Sequence, residues 1–287
     1  MTLHELYQQT RRSIAAKEPE FATQAARELV AFATGKTVEL VLRDGNESVS
    51  AANIRTLERV LKEYLWGKPL AYILGQWSFF GIPLKITQDV LIPRDDTMVV
   101  TALALEAMLD MDAPRVLDLC TGSGCIGIAV AKNAPHSRVT LTDISEAALS
   151  VARENVNANR LQKQINLMQV DVTKPAPKFL GLYDVIVSNP PYITAEDMTK
   201  LDVSVRDYEP GLALYGGEDG LNFYRSICRN FCGCLKEGGA LCLEFGRGQE
   251  HAVETILKEY NFSQLLFCRD TAGIVRAVMA RKERKDK

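Results

Sequence analysis

The chain has 287 residues, 47% of them hydrophobic, so it is long enough for one large α/β domain plus a small accessory domain. Its formal net charge of −2 excludes a global electrostatic attraction to nucleic acid or other polyphosphates. The absence of any run of about 18 apolar residues excludes a membrane span, and the polar first ten residues exclude a signal peptide, so we expect a cytoplasmic protein.

The seven cysteines are odd in number and lack paired Cys-x-x-Cys spacing with histidine partners, which argues against a disulfide framework or a zinc site. Cys228, Cys232 and Cys234 come nearest to a cluster. They fit either packing or metal ligation, and packing is favoured because a four-ligand site lacks its other members. We therefore predict no metal.

Residues 2–71 have a helical pattern. One helix is predicted over residues 20–32, ended by Gly35, and a second over residues 51–66, with a turn at 43–48 between them. The predicted buried stripes are Phe21, Ala25, Leu29 and Phe32 in the first helix and Ile54, Leu57, Val60, Leu61 and Leu65 in the second. Short helices of this size suit a small bundle-like domain.

Residues 76–84 are aromatic and rich in β-formers, and Gly81 and Pro83 interrupt them. This pattern predicts a β-hairpin that links two domains. Its aromatic side chains could anchor a substrate or form the seam between the domains.

From residue 115 onward, predicted strands and helices alternate. The strands are 115–119, 138–142, 165–170, 183–188 and 240–245, and the helices are 126–132, 145–159, 222–231 and 249–260. Such alternation predicts a parallel, doubly wound sheet, in which ligands bind beyond the carboxyl ends of the strands. The charged residues 281–287 are expected to form a frayed, solvated end.

A glycine-rich loop, residues 118–127, follows the first of these strands. Gly122, Gly124 and Gly127 satisfy the G-x-G-x-x-G pattern, in which glycine lets the backbone turn tightly against a ligand. That pattern alone also fits a nicotinamide enzyme.

Carboxylates at the strand ends favour a different cofactor. Asp118 would repel a pyrophosphate but attract the ammonium group of an amino acid, and Asp143 can accept hydrogen bonds from both ribose hydroxyls. S-adenosylmethionine has a ribose and an ammonium group but no phosphate, so the pair predicts that cofactor. Asp171 and Val172 would complete the adenine pocket, although Asp171 could simply start a turn and Asp143 could form a helix-capping box with Ser145.

The tetrapeptide Asn189-Pro190-Pro191-Tyr192 lies just beyond the fourth strand. The Asn189 side-chain carbonyl and the Pro190 backbone carbonyl can each accept one N–H of a planar NH2 group and stabilise the charge that develops on nitrogen. Pro190 and Pro191 preform the turn, and Tyr192 can stack on the acceptor. The alternative is an ordinary proline-rich turn.

With these residues in place, the sequence resembles the peptide chain release factor glutamine N5-methyltransferases over nearly its whole length. The resemblance is carried by residues 67–75, 79–84, 91–97, 118–124, 189–192 and 205–210. Three positions depart from the usual family pattern: Lys68 replaces Glu, Asp95 replaces Pro and Met98 replaces Glu.

The resemblance implies an α/β Rossmann-like S-adenosylmethionine-dependent methyltransferase domain over residues 91–287. It further implies a helical release-factor-docking domain over residues 1–74 and a β-hairpin linker over 75–90. The implied substrate is the glutamine of the Gly-Gly-Gln motif in class I release factors, methylated by a protein expected to be a monomer.

The resemblance also assigns the site residues. It maps the cofactor pocket onto Cys120, Thr121, Gly122, Ser123, Gly124, Asp143, Val172 and Asn189, to which the strand-end argument above adds Asp118 and Asp171. Asn189 and Pro190 are the expected catalytic residues, and residues 189–192 the substrate-binding turn.

Two alternatives use the same chemistry on other acceptors. An adenine N6-methyltransferase could hold the amine of a flipped base in the same turn, but the chain lacks a basic patch and an obvious target-recognition domain. A glutamine methyltransferase that acts on a ribosomal protein is the nearer alternative. A nicotinamide oxidoreductase, which Asp118 disfavours, and a non-catalytic binding protein are more distant ones.

Overall fold

The computed structural model describes residues 1–283, which fall into two compact units. The first unit comprises Met1–Gln76 together with the later segment Val203–Tyr208. Its helices are α1 (Leu3–Ala15), α2 (Ala22–Thr34), α3 (Val38–Arg43), α4 (Ala51–Leu65) and α5 (Leu70–Leu74).

The helices of the first unit end where local chemistry predicts. A capping box formed by Thr2 and Glu5 starts α1, and Gly35, in the left-handed conformation at φ 68°, ends α2. The predicted stripe of α2 is partly wrong, because Phe21 and Phe32 are exposed while Ala25 and Leu29 are buried. The small residues of α2 form its buried face, since alanines let neighbouring helices approach closely.

The second unit comprises Trp77–Asp202 and Glu209–Lys287 and contains the predicted hairpin. Strands β1 (Gln76–Phe79) and β2 (Ile82–Lys85) pair with each other. The turn between them places Phe80 at φ 54° and Gly81 at φ 72°, and the φ > 0 geometry explains the glycine.

The remaining strands form one seven-stranded sheet. They are β3 (Arg115–Leu119), β4 (Arg138–Asp143), β5 (Ile165–Gln169), β6 (Tyr183–Ser188), β7 (Leu235–Glu244), β8 (Phe262–Arg269) and β9 (Val275–Lys282). The helices between Thr97 and Glu259 are α6 (Thr97–Glu106), α7 (Cys125–Asn133), α8 (Glu146–Ala158), α9 (Ala195–Met198), α10 (Val203–Arg206), α11 (Asn222–Phe231) and α12 (Glu250–Glu259). Of these, α10 belongs to the first unit.

The order of strands in the sheet is β5-β4-β3-β6-β7-β9-β8. The five strands from β3 to β7 run parallel, and the chain reverses its direction of winding between β3 and β6. A crevice forms at such a switch point beyond the carboxyl ends of the strands. The sheet topology therefore places the glycine loop beside the Asn-Pro-Pro-Tyr turn.

The predicted strands form a parallel sheet, but two further strands that were not predicted extend it at one edge, where β9 pairs antiparallel with both β7 and β8. The expected frayed end is wrong at Arg281 and Lys282, which belong to β9, while residues 284–287 lie outside the described part of the chain. No helix within residues 1–283 combines the length and the apolar character that a membrane crossing requires.

Candidate active site

Four of the predicted site segments meet at one edge of the sheet. In the parallel register, Leu119 lies opposite both Thr142 and Ser188, and Asp143 lies opposite Gln169. The residues that follow these strand ends are Cys120, Ile144, Val170 and Asn189. The register therefore brings the glycine loop, Asp143, the segment that leads to Asp171, and the proline turn to the same edge of the sheet.

A cavity of about 220 Å³ opens at this edge. Seven of the predicted site residues line it: Cys120, Gly122, Asp143, Asp171, Val172, Asn189 and Pro191. Six others do not: Asp118, Thr121, Ser123, Gly124, Pro190 and Tyr192. Other parts of the cavity wall were not predicted from the sequence. They include residues of two loops, Asp89–Leu91 and the segment from Pro210 to Ala213, and Phe223 of α11.

The glycine loop turns sharply into α7. Gly122 lies at φ 55° and Gly124 at φ 84°, and between β3 and these glycines Cys120 adopts φ 58° although it carries a side chain. A Cβ on Gly124 would stand 3.1 Å from Ile128 Cδ1 and 3.2 Å from Leu141 Cδ1, so the loop also packs tightly on the sheet. These positions explain the glycine spacing by backbone geometry.

Asp118 lies beneath this loop and not in the cavity wall. Its Oδ2 accepts hydrogen bonds from Thr121 Oγ1 at 2.6 Å and from the backbone N–H of Gly127 at 3.0 Å. Its Oδ1 is buried and has no hydrogen-bond partner among residues 1–283. The pKa of Asp118 is raised to about 7, mainly by burial and to a smaller extent by the charge of Asp143, while the hydrogen bonds from Thr121 and Gly127 oppose the shift.

Asp143 lies in the wall and already serves two backbone groups. Its Oδ2 accepts from the N–H of Gly122 at 2.9 Å and its Oδ1 from the N–H of Ser145 at 3.0 Å. Each carboxylate oxygen has further acceptor capacity for a ligand hydroxyl. Ser145 caps α8, so the capping-box interpretation and a ligand-binding role are compatible in one residue.

Asp171 likewise combines both interpretations. Its Oδ1 accepts from the N–H of Thr173 at 2.9 Å and from the Thr173 hydroxyl at 2.6 Å, which makes it the start of a turn. The same residue lines the cavity beside Val172. These hydrogen bonds lower the pKa of Asp171, so it is a carboxylate at neutral pH.

In the Asn-Pro-Pro-Tyr turn, the side-chain amide of Asn189 points its two ends in different directions. Its Nδ2 donates to Thr97 Oγ1 at 3.2 Å. Within residues 1–283, no donor hydrogen-bonds Asn189 Oδ1 or the backbone carbonyl of Pro190. The two oxygens that the sequence analysis assigned to an acceptor NH2 group are thus available.

Gln249 and Gly216, which the sequence did not indicate as site residues, contact the Asn-Pro-Pro-Tyr turn and hold it in place. Gln249 Nε2 donates to the carbonyl of Tyr192 at 3.0 Å, while Gln249 Oε1 accepts from the N–H of Gly246 at 2.9 Å. A Cβ on Gly216 would stand 2.6 Å from Tyr192 Cα and 2.8 Å from the Pro191 oxygen. Only glycine therefore lets the 214–220 loop lie against the turn.

Glu244, at the end of β7, is another residue near the turn that was not predicted from the sequence. It is 2% exposed, and the Tyr192 hydroxyl donates to its Oε1 at 3.5 Å. Burial raises the pKa of Glu244 to about 7. A carboxylate within the otherwise apolar segment 240–245 was a visible signal in the sequence, because carboxylates are rarely buried without a partner.

The segments that carry the two cavity loops are joined by an ion pair between a partly exposed arginine and a buried carboxylate. Arg94 pairs with Glu209, whose carboxylate also accepts from the N–H of Ile92 at 3.4 Å. Burial raises the pKa of Glu209, and Arg94 opposes that shift. The pair gives a structural reason for Ile92-Pro93-Arg94 and Glu209-Pro210, which the sequence analysis had noted only as motifs.

The residues present fit S-adenosylmethionine. The orphaned, buried Oδ1 of Asp118 and the pKa values of Asp118 and Asp143, both raised by burial, describe acidic groups that a nearby cation would stabilise. The rest of the cavity is largely apolar, with Val172 and Phe223 in its walls, as a purine requires. No group of three or more potential metal ligands occurs within residues 1–283, and Cys228 and Cys234 are buried free thiols.

Comparison with known proteins agrees with this geometry. Residues 5–75 match the family model described as PrmC N-terminal domain, and residues 95–206 match the one described as Methyltransferase small domain. The fold and site therefore define an S-adenosylmethionine-dependent methyltransferase.

Curated relatives specify the family. A protein of Moorella thermoacetica named release factor glutamine methyltransferase is 36% identical over 98% of this chain and 98% of its own length. Proteins of the same name from Thermodesulfovibrio yellowstonii (35% identity, 92% of this chain, 94% of the relative) and Bordetella pertussis (37%, 90% and 94%) also match. The chain belongs to the release factor glutamine methyltransferase family.

Solved structures confirm the Rossmann-like methyltransferase fold. A methyltransferase from Pyrococcus furiosus superposes with a TM-score of 0.54 at 18% identity, covering 79% of this chain and 99% of the other. A ribosomal protein L11 methylase from Lactobacillus delbrueckii gives 0.50 at 21% identity, covering 70% and 86%. At these identities the likeness concerns the fold alone.

Proposed function

We propose that this enzyme transfers a methyl group from S-adenosylmethionine to the side-chain amide nitrogen of the Gly-Gly-Gln glutamine in class I peptide chain release factors, and so modulates translation termination. The observation that carries the proposal is the pair of available acceptors, Asn189 Oδ1 and the Pro190 carbonyl, beside the cavity. Full-length relatives named release factor glutamine methyltransferase support the choice of substrate.

When bound, S-adenosylmethionine supplies an electrophilic methyl group. A glutamine amide nitrogen is a poor nucleophile because its lone pair is delocalised. Asn189 Oδ1 and Pro190 O accept its two N–H groups, which fixes the nitrogen and stabilises the positive charge that develops on it. Tyr192 is partly buried, and its hydroxyl donates to Glu244, so its ring has a defined position for stacking on the planar amide.

In the cofactor part of the site, Asp143 would accept hydrogen bonds from ribose hydroxyls, and Cys120 and Gly122 would supply the loop backbone beside the cofactor. Val172 and Asp171 would border the adenine. Thr121, Ser123 and Gly124 shape the loop, and Asp118 supports it from beneath, where a cationic cofactor would favour the ionised form of its carboxyl group. The same carboxylate would disfavour a pyrophosphate, which supports this donor over a nicotinamide.

We further propose that residues 1–74 dock the release factor, that residues 75–90 are a linker, and that residues 91–287 form the methyltransferase domain. The match of residues 5–75 to a separate family model supports an independent role for the first segment. We also propose a monomer that acts in the cytoplasm on protein and not on nucleic acid. Seven free cysteines support the cytoplasmic location, and the net charge of −2 supports a protein substrate over nucleic acid.

The proposal is tested by transfer of a labelled methyl group to purified release factor. We expect label on the wild-type factor and none on a factor whose Gly-Gly-Gln glutamine is changed to alanine. A ribosomal protein extract and duplex DNA serve as competing acceptors. Equal label on both forms of the release factor, or label on DNA alone, would contradict the proposal.

A variant of the enzyme ties the activity to the turn. Asn189→Ala removes one of the two acceptors, so we expect methyl transfer to fall by at least a hundredfold, a typical loss for one such donor or acceptor at a reacting centre. The affinity for S-adenosylmethionine, measured by calorimetry, should stay largely intact. Near-normal turnover in this variant would remove Asn189 from its proposed role.

A further inference from the structure

The orientation of the Asn189 side chain depends on one hydroxyl group. The oxygen and nitrogen ends of an asparagine amide have nearly the same shape, so only its hydrogen-bond partners decide which end faces which way. Asn189 Nδ2 donates to Thr97 Oγ1 at 3.2 Å. This bond leaves Oδ1 as the end that can accept an N–H from a substrate amide.

Thr97 can hold the amide in this way only if its own hydrogen points elsewhere. Thr97 is the first residue of α6 and is 2% exposed, so water does not accept that hydrogen. Glu244 Oε2 is buried and has no hydrogen-bond partner among the described residues, so it is an acceptor whose requirement is unmet. Glu244 ends β7, the strand against which α6 packs, and the Thr97 hydroxyl lowers the pKa of its carboxyl group, so we take Glu244 as the acceptor for the Thr97 hydrogen.

Glu244 has no evident structural reason to be acidic. It follows Cys242 and Leu243 and precedes Phe245, all fully buried, and an unpaired carboxylate costs free energy there. Arg276 partly compensates its charge, while Asp96 opposes it. In its ionised form the carboxylate is a pure acceptor for two hydroxyls of the site, those of Thr97 and Tyr192.

We propose that Thr97 and Glu244 are positioning residues for methyl transfer: Glu244 orients the Thr97 hydroxyl, and Thr97 holds the Asn189 amide with its oxygen towards the cavity. This inference rests on the proposed function for the identity of the acceptor. The orientation of the Asn189 amide itself can be tested without any acceptor.

The first test compares three variants of α6. Thr97→Val removes the hydroxyl at nearly constant shape, Thr97→Ser keeps it, and Thr101→Val is the matched control. Thr101 is also buried in α6, but its hydroxyl donates to the backbone carbonyl of Thr97 at 3.0 Å and does not contact Asn189. All three should fold, which thermal unfolding checks.

We expect Thr97→Val to lower kcat for release factor methylation about tenfold, the effect of losing one hydrogen bond that orients a catalytic group. The dissociation constant for S-adenosylmethionine should stay within twofold. Thr97→Ser and Thr101→Val should keep kcat within threefold of wild type. A kcat for Thr97→Val equal to that of Thr101→Val would overturn the proposal.

Glu244→Gln tests the proposed interaction between Glu244 and Thr97. The substitution keeps the shape but turns one acceptor into an NH2 donor, which can donate to Thr97 Oγ1 and so redirect the Thr97 hydrogen towards Asn189. We expect kcat to fall about tenfold without a change in the affinity for S-adenosylmethionine. A wild-type kcat in this variant would show that Glu244 does not orient the Thr97 hydroxyl.

A spectroscopic readout separates this inference from the proposed function. In asparagine-selective ¹⁵N spectra, the Asn189 side-chain NH2 signals are identified by their loss in Asn189→Ala. They should shift and lose their protection from exchange in Thr97→Val, and not in Thr97→Ser or Thr101→Val. Unchanged signals in Thr97→Val would overturn the inference whatever the substrate is. Failure of the wild-type enzyme to label release factor would overturn the proposed function alone.

Discussion

At the scale of single residues, several side chains of this site serve structure and ligand at once. The Asp143 carboxylate joins the glycine loop to the start of α8 through Gly122 and Ser145, and it also lines the cavity. Asp171 both starts a turn and lines the cavity. A structural role for such a residue therefore does not argue against a binding role, because a carboxylate has about four acceptor sites.

Asp143→Ala is expected to weaken S-adenosylmethionine binding by about 1–3 kcal/mol, since it removes charge-assisted hydrogen bonds to the ribose. Glu146→Ala is the matched control, because Glu146 is a nearby carboxylate with 65% of its side chain exposed and outside the cavity wall. Titration calorimetry measures both. An affinity for Asp143→Ala equal to that of the control would exclude Asp143 from the cofactor site.

At the scale of elements, α7 lies so close to the sheet that Gly127, the glycine within this helix, has no room for a side chain. A Cβ on Gly127 would stand 2.1 Å from Leu141 Cδ2 and 3.1 Å from Asp118 Oδ2. Leu141 is fully buried and cannot move aside freely. The third glycine of the loop motif thus serves the contact between helix and sheet and the hydrogen bond from Gly127 to Asp118.

Gly127→Ala is therefore expected to destabilise the fold. Alanine gains about 1 kcal/mol over glycine in a helix, but overpacking a buried site costs about 1–3 kcal/mol, and displacing Leu141 places this site at the upper end. Gly233→Ala is the control, because a Cβ there meets no atom within 4 Å. Urea unfolding should show a lower midpoint for Gly127→Ala alone, and equal midpoints would contradict this packing argument.

At the scale of the whole molecule, each of the two units has hydrophobic core residues of its own. Leu3, Leu29 and Leu57 belong to a core cluster of the first unit, and Leu117, Ile186 and Phe231 belong to a core cluster around the sheet of the second. A chain whose units have separate core clusters need not unfold in a single step. The cavity lies wholly within the second unit, so a ligand in it stabilises that unit directly.

Hydrogen exchange with mass spectrometry can measure this division. S-adenosylmethionine at 100 times its dissociation constant should stabilise the second unit by about 2.7 kcal/mol, which slows exchange in β3 to β7 about a hundredfold. Exchange in α1, α2 and α4 should stay unchanged. Equal slowing in both units would show instead that the molecule unfolds as one cooperative body.

Several features were predictable from the sequence because they depend on neighbours along the chain. The G-x-G-x-x-G loop, the Asn189-Pro190-Pro191-Tyr192 turn and the strand-helix alternation from residue 115 are local patterns. The structure has the predicted elements close to their expected bounds, except β7, which begins at Leu235 and not at residue 240. The β8–β9 pair was missed because antiparallel pairing at the edge departs from the repeat of the preceding strands. The α2 stripe was misassigned because large side chains were favoured over alanines.

By itself, then, the sequence determined the class of fold, the family and the two motifs that carry cofactor and acceptor. Only the tertiary structure decided that Asp118 lies beneath the glycine loop and not in the cavity wall, and that Glu244 and Gln249 reach the acceptor turn. Thr97 and Asn189 are 92 positions apart and still share a hydrogen bond. Sheet register and helix packing create such contacts, and no local pattern of residues records which distant side chains they bring together.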